Sequence, residues 1–190
     1  HVAFVPGAQA AMFTFENAAS VLFKIMQDGK FKFDGQHIIG EEEFLGMKAW
    51  MYGEFNQQGV LHKGYAPGDG SEQFAWFQAP EGSGKIIFKY GFSFISAEQA
   101  KSNLQRELPD WDFEAQVDYA KNIWSEAINK IQVEGGTEAQ KRTFYTSLYR
   151  TYERMINITE DGRYYSGYDG KVHQSDRPFY VDDWVWDTYL

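Results

Sequence analysis

The sequence predicts an α+β chain of more than one domain, with antiparallel β-structure over residues 1–95 and helices after it. Three observations carry this. Up to about residue 95, polar and apolar residues alternate in short runs bounded by turn residues. At Ser96 the apolar spacing lengthens to about 3.6 residues. The helix-start pattern Ser/Thr-x-x-Gln then occurs twice, at Ser96–Gln99 and Thr137–Gln140.

Val21-Leu22-Phe23-Lys24-Ile25 is rich in side chains that fit a pleated, half-buried surface. Lys30-Phe31-Lys32-Phe33-Asp34 alternates and ends on Gly35, a turn signal. Gly46 to Phe55 reads as a strand, with a helix also compatible. Phe74-Ala75-Trp76-Phe77 and Lys85 to Phe94 follow, set off by the turns Ala66-Pro67-Gly68-Asp69-Gly70 and Pro80-Glu81-Gly82-Ser83-Gly84. Strands this close in sequence pair antiparallel, in a sheet or sandwich.

In the second half, Ser96 caps a helix whose stripe is Ala97, Ala100, Leu104 and Leu108. Pro109 ends it, because proline restricts the residue before it and donates no hydrogen bond. Phe113, Val117, Ala120, Trp124, Ala127 and Ile131 recur at helical spacing and predict a packing face over 113–130. Gly135-Gly136 breaks the pattern. Thr137 opens a third helix, with Glu138 at the positive end of its dipole. It is expected to reach Met155, with Phe144, Leu148, Tyr152 and Met155 facing inward. Asp161-Gly162 and Tyr168-Asp169-Gly170-Lys171 are turn signals around a short strand at Arg163-Tyr164-Tyr165, and residues from Phe179 are extended or begin a helix.

Composition narrows the function. A net charge of -9 without a basic run argues against a nucleic-acid partner. The absence of cysteine excludes a disulfide scaffold, a thiolate zinc site and a cysteine nucleophile. No 18-residue apolar run spans a membrane. The chain opens at His1-Val2-Ala3-Phe4, without Met or a leader, and reads as a processed or excised piece. His37 and His62 lack metal-ligand spacing, so zinc is not expected.

The most pointed feature is Asp182-Asp183-Trp184-Val185-Trp186-Asp187-Thr188-Tyr189-Leu190. Carboxylates accept hydrogen bonds from sugar hydroxyls, and indole rings stack on apolar pyranose faces. The pairing suggests one wall of a carbohydrate site.

From Phe92 onward the chain resembles the α-mannosidases of glycoside hydrolase family 92. The segments that carry this are Phe92-Ser93-Phe94-Ile95-Ser96-Ala97-Glu98-Gln99-Ala100, Asn103-Leu104 and Trp111-Asp112-Phe113. Ile131-Gln132-Val133-Glu134-Gly135-Gly136-Thr137 and Thr143-Phe144-Tyr145-Thr146-Ser147-Leu148-Tyr149 follow in order. Asp161-Gly162-Arg163-Tyr164, Tyr168-Asp169-Gly170-Lys171-Val172-His173 and Trp186-Asp187-Thr188-Tyr189 complete the set. Each is weak alone; their order and spacing over half the chain make the signal. The first 90 residues match more loosely.

The resemblance implies part of a β-sandwich at 1–95, a helical linker at 96–135, and the beginning of a catalytic (α/α)6 barrel at 136–190. It implies calcium-dependent, exo-acting, inverting hydrolysis of terminal α-mannosides, with α-1,2 the expected linkage. It also implies a periplasmic or secreted location. The partners are a mannose-containing glycan and the remainder of the catalytic domain. The acid, the base and the calcium ligands are expected outside this chain, which alone should be inactive. Asp187 is then the expected sugar-hydroxyl acceptor, Trp186 lines the pocket or packs in the barrel, and Asp182 supports them. Leu190 stands where the family usually has arginine, and Asp183-Trp184 where phenylalanine and serine are usual, which bears on subsite specificity. His173 is expected to be a hairpin residue with a local hydrogen bond. The alternative is a non-catalytic carbohydrate-binding or scaffold module.

Overall fold

The computed structural model describes residues 2–6, 8–44, 46–65, 73–152 and 155–181. Nine strands among them precede the first helix: β1 (Val2–Pro6), β2 (Ala10–Glu16), β3 (Ser20–Lys24), β4 (Asp28–Asp34), β5 (His37–Phe44), β6 (Met47–Phe55), β7 (Val60–Tyr65), β8 (Gln73–Gln78) and β9 (Lys85–Ser93). They form a six-stranded sheet, β1-β2-β9-β6-β5-β4, and a three-stranded sheet, β3-β8-β7, with antiparallel neighbours throughout. Gly46–Phe55, ambiguous by sequence, is strand.

The six-stranded sheet is a middle layer. On one side Val21, Ile25, Phe31, Ile38, Phe55, Phe77, Ile86 and Phe88 form the sandwich core. On the other, Val5, Met12, Tyr52 and Ile87 pack under Ala100, Leu104, Leu108 and Phe113. β9 serves both: Ile86 and Phe88 face the small sheet, while Ile87 faces the helix, as the two-residue period of a strand requires. Helix α1 (Ala97–Glu107) lies directly on the strand backbone at Gly91. A Cβ there would stand 2.2 Å from the Ala100 carbonyl oxygen, so only glycine permits this approach.

Ser96 caps α1 by accepting from the Gln99 amide at 3.1 Å. Gln99 does not complete a reciprocal box, because its side chain is engaged with Asn103 and Asp161. Leu108 is the C-cap, just before Pro109. Asp112 caps α2 (Phe113–Ile128), and a full capping box starts α3 (Glu138–Thr151), where Thr137 and Gln140 bond reciprocally.

The chain then forms β10 (Ile156–Asn157), β11 (Arg163–Ser166), β12 (Lys171–Gln174) and β13 (Tyr180–Val181), with β10 paired to β13 and β11 to β12. Between Glu160 and Arg163, Asp161 (φ 49°) and Gly162 (φ 74°) form a two-residue turn with both central φ angles positive. Asp-Gly suits it because both tolerate the left-handed region.

Two expectations are corrected. The third helix ends at Thr151, four residues before Met155. The apolar face of α2 is inward only over its first half, where Phe113, Val117 and Ala120 pack on the core under the sheet, and that of α3 is not inward. In α2 only Phe113 is buried, and Trp124 is 38% exposed; in α3 no residue is buried, and Met155 beyond it is 63% exposed. Helical spacing identified an apolar stripe correctly, but among the described residues the sandwich covers only the start of α2. Trp124 meets Tyr149 at 4.7 Å and Tyr152 at 6.2 Å between ring centroids, while Ile131, Phe144 and Met155 are exposed.

Candidate functional site

Asp182, Asp183, Trp186 and Asp187 lie outside the described residues; the strand that leads into them does not. β13 is held to β10, the Phe179 amide donates to Thr159 Oγ1 at 2.6 Å, and the Ile158 amide donates to the Phe179 carbonyl at 3.0 Å. The Phe179 ring stacks on Tyr164 at 3.8 Å and 5°, and Tyr164 stacks on His173 at 5.5 Å. His173 Nε2 lies 2.9 Å from Asp169 Oδ2, the local hairpin bond the sequence suggests. That hydrogen bond leads the causes that hold the Asp169 carboxyl below the usual carboxylate range.

Behind this unit lies a polar network that sequence reasoning missed. Glu160 is 2% exposed. Its Oε1 accepts from the Phe94 amide at 3.0 Å, and its Oε2 accepts from Asn103 Nδ2 at 2.8 Å. Among the described residues no Lys, Arg or His forms an ion pair with it. A buried carboxylate needs such bonds, since desolvation without them costs several kcal/mol. Asn103 Nδ2 also donates to the Phe92 carbonyl at 2.9 Å, while its Oδ1 accepts from Gln99 Nε2 at 3.0 Å and Arg106 Nη2 at 2.9 Å. Gln99 Nε2 donates to Asp161 Oδ2 at 2.6 Å and its Oε1 accepts from Arg163. Arg106 reaches Asp161 Oδ1 at 2.5 Å and Gln9 Oε1 at 3.0 Å; Gln9 Nε2 donates to the Thr159 carbonyl. A signal existed in the sequence: Gln99, Asn103 and Arg106 sit at i, i+4 and i+7, one polar face of α1.

A buried lysine braces the end of α1. Lys89 points from β9 to the end of α1, where its ammonium donates to the Leu108 carbonyl at 2.8 Å and the Pro109 carbonyl at 3.2 Å. Trp111 covers it at 4.3 Å and Glu54 lies 3.8 Å away. Burial pushes its pKa down, against the raising influence of Glu54 and Asp110. Beside it an open groove of about 1230 Å³ is lined by Trp111, Tyr119, Ile123 and Trp124, with Glu107 and Asp112 at its polar margin. This groove lies between the end of α1, α2 and the start of β2, and no described residue of 155–181 lines it.

Among the described residues no group of three or more His, Asp or Glu side chains could hold a metal ion. Among them too, no helix is long and apolar enough to cross a membrane.

A layered β-sandwich, a helix laid on its back and a following helical and hairpin region define the fold. Residues 99–190 match the glycosyl hydrolase family 92 catalytic domain. The backbone is similar to that of a family GH92 inverting mannosidase from Bacteroides thetaiotaomicron, at 24% identity and a TM-score of 0.85, covering 99% of this chain and 29% of that one. It is also similar to a family GH92 alpha-mannosidase from the same organism, at 17% identity and a TM-score of 0.81, covering 98% of this chain and 30% of that one. At these identities the likeness is one of fold. In sequence the chain is 29% identical over 162 residues to an uncharacterized secreted glycosidase of Arthroderma benhamiae, covering 77% of this chain. The match spans 20% of that protein's length.

Proposed function

We propose that this chain is part of an enzyme that removes terminal α-linked mannose from glycans, with α-1,2 linkages preferred, by calcium-dependent hydrolysis with inversion. The observation that carries the reading is the match of residues 99–190 to the family 92 catalytic domain. In this reading residues 1–95 belong to the sandwich domain, 96–135 to the linker and 136–190 to the beginning of an (α/α)6 barrel. Asp187 accepts hydrogen bonds from two hydroxyls of the terminal mannose, Trp186 lines the pocket and Asp182 supports Asp187. Inversion needs one carboxyl to protonate the leaving oxygen and another to activate water, set about 6.5–9.5 Å apart. Those two groups are assigned to other parts of the protein. The described residues do not fit a calcium site, so its ligands are assigned elsewhere too. The secreted relative supports a location outside the cytoplasm.

The test uses the longest natural protein containing this sequence. With a terminal α-mannoside, NMR should show β-mannose as the first product, and a chelator should abolish the release. Release of α-mannose first would overturn inversion, and failure to cleave any α-mannoside would overturn the reading.

The aromatic groove with its carboxylate margin favours one other reading, a non-catalytic carbohydrate-binding module. Mannan binding by the 190-residue chain, lost in Trp111→Ala and joined to no hydrolysis by the longer protein, would select it.

A further inference from the structure

We propose that Glu160, with Asn103 as its partner, is a positioning residue. It fixes the unit 156–181, and through β13 the strand entering Asp182–Asp187, in one orientation against the β-sandwich. The inference rests on the functional reading above only in taking that strand to lead into the sugar site.

The argument concerns what attaches the unit. Neither apolar core includes any residue of it. Among its described residues Glu160 alone is buried. A unit without an apolar anchor is held by directed bonds, and these fix angle as well as distance. Glu160 takes one such bond from the backbone just after β9 and one from α1. Asn103 cannot turn away to compensate: both amide hydrogens and both lone pairs of its oxygen are already engaged. Gln99 and Arg106 bind Asp161 from the same face of α1, and Gln9 holds the Thr159 carbonyl from the sandwich. Residues 159–163 are thus tied to the residue before β2, the residue after β9 and α1 at once. Glu160 itself is enclosed, so it touches no substrate. A displacement of about 1 Å at a site can cost on the order of a hundredfold in rate. A loosened latch would act in that way.

The test compares wild type with Glu160→Gln and Glu160→Ala in the longest natural protein. Amide hydrogen exchange at Phe94, and at residue 160 whose amide donates to the Arg163 carbonyl, should accelerate at least about tenfold in both variants, with Phe88 on β9 unchanged. On a terminal α-mannoside, kcat/KM should fall about ten- to a hundredfold, with both limbs of the pH profile unmoved. The glutamine variant should retain more activity than the alanine variant, since it keeps the volume and one acceptor. Unchanged exchange at Phe94 and Glu160 overturns the latch. Faster exchange with wild-type kcat/KM overturns the positioning role, and so does a displaced pH limb, which would make Glu160 a proton-transfer group. If the wild-type protein cleaves no α-mannoside, the functional reading fails separately and the exchange rates still decide the latch. Should the alanine variant not fold, the isosteric glutamine variant carries the test.

Discussion

The ammonium of Lys89 lies 2.8 Å from the carbonyl oxygen of Leu108, so a strand of the sandwich terminates the helix that leads out of it. Helix ends leave carbonyls without partners, and here a buried cation answers the C-cap carbonyl and the one that follows it. Lys89→Met keeps most of the apolar stem but strands the Leu108 and Pro109 carbonyls. A loss of about 1–3 kcal/mol is expected, read from the urea midpoint at pH 7.

The same residue predicts a pH dependence. Its folded pKa is lowered, so below 10.5 there is a window in which the unfolded chain holds the proton and the folded chain releases it. The unfolded state binds more protons there, so stability rises with pH across the window. The thermal midpoint of Lys89→Met should lack that rise.

Tyr52 acts in the opposite direction at higher pH. Burial, then the charges of Glu54 and Asp34, push its phenol up to about 12. Above its ordinary value of 10.0 the unfolded tyrosine ionises first, so folding stability falls as pH climbs from 10.0 towards 12. Tyr52→Phe keeps the ring over Ala100 and Leu104 and should flatten part of this fall; Tyr90, also raised by burial, keeps the remainder. Thermal melts between pH 9 and 11.5 distinguish the two proteins.

Gly91→Ala should be costly. Its new methyl would meet the backbone of α1, which cannot rotate aside, and a destabilisation of about 1–3 kcal/mol is expected. Gly84→Ala is the control: nothing lies within 4 Å of its Cβ position, so the urea midpoint should be unchanged or slightly raised.

Asp187→Ala, in the longest natural protein, should lower kcat/KM on a terminal α-mannoside while leaving the thermal midpoint near wild type. A charge-assisted hydrogen bond is worth about 1.5–3 kcal/mol, roughly ten- to a hundredfold if it is made in the transition state. Asp187→Asn should lose less. Wild-type kinetics in the alanine variant would remove this residue from the site.

Much of the helical half was legible because its signals are local. Ser96, Asp112 and Thr137 each cap the helix they precede, and Pro109 stops the first one. The sandwich was less legible for two reasons. β2 lies in the middle layer and is apolar on both faces: Met12 packs towards α1 and Phe13 towards the small sheet, so clean alternation is lost. β5 contains Glu41-Glu42-Glu43, which reads as a solvated run. Lys30 and Lys48 on the flanking strands lie 3.5 and 3.4 Å from Glu41 and make the charges tolerable there. The latch was hidden because its members come from residues 9, 94, 99–106 and 159–163, and only the fold brings them together. Gln99 fits a capping box by spacing, yet its side chain is used elsewhere.

The strand order β1-β2-β9-β6-β5-β4 has a consequence for how the protein is made. β1 and β2 form one antiparallel ribbon and β4, β5 and β6 another, and β9 alone joins them. Until Lys85–Ser93 leaves the ribosome, each ribbon carries an unpaired edge and an uncovered apolar face. Glu16 must wait for Lys85, its partner in register, across nearly the whole length of the sandwich. Closure of so distant a pairing is slow compared with formation of either ribbon. The nascent sandwich is therefore most exposed to misassociation just before β9 arrives. α1, next in sequence and seated on Gly91, can seal the finished sheet as soon as it follows.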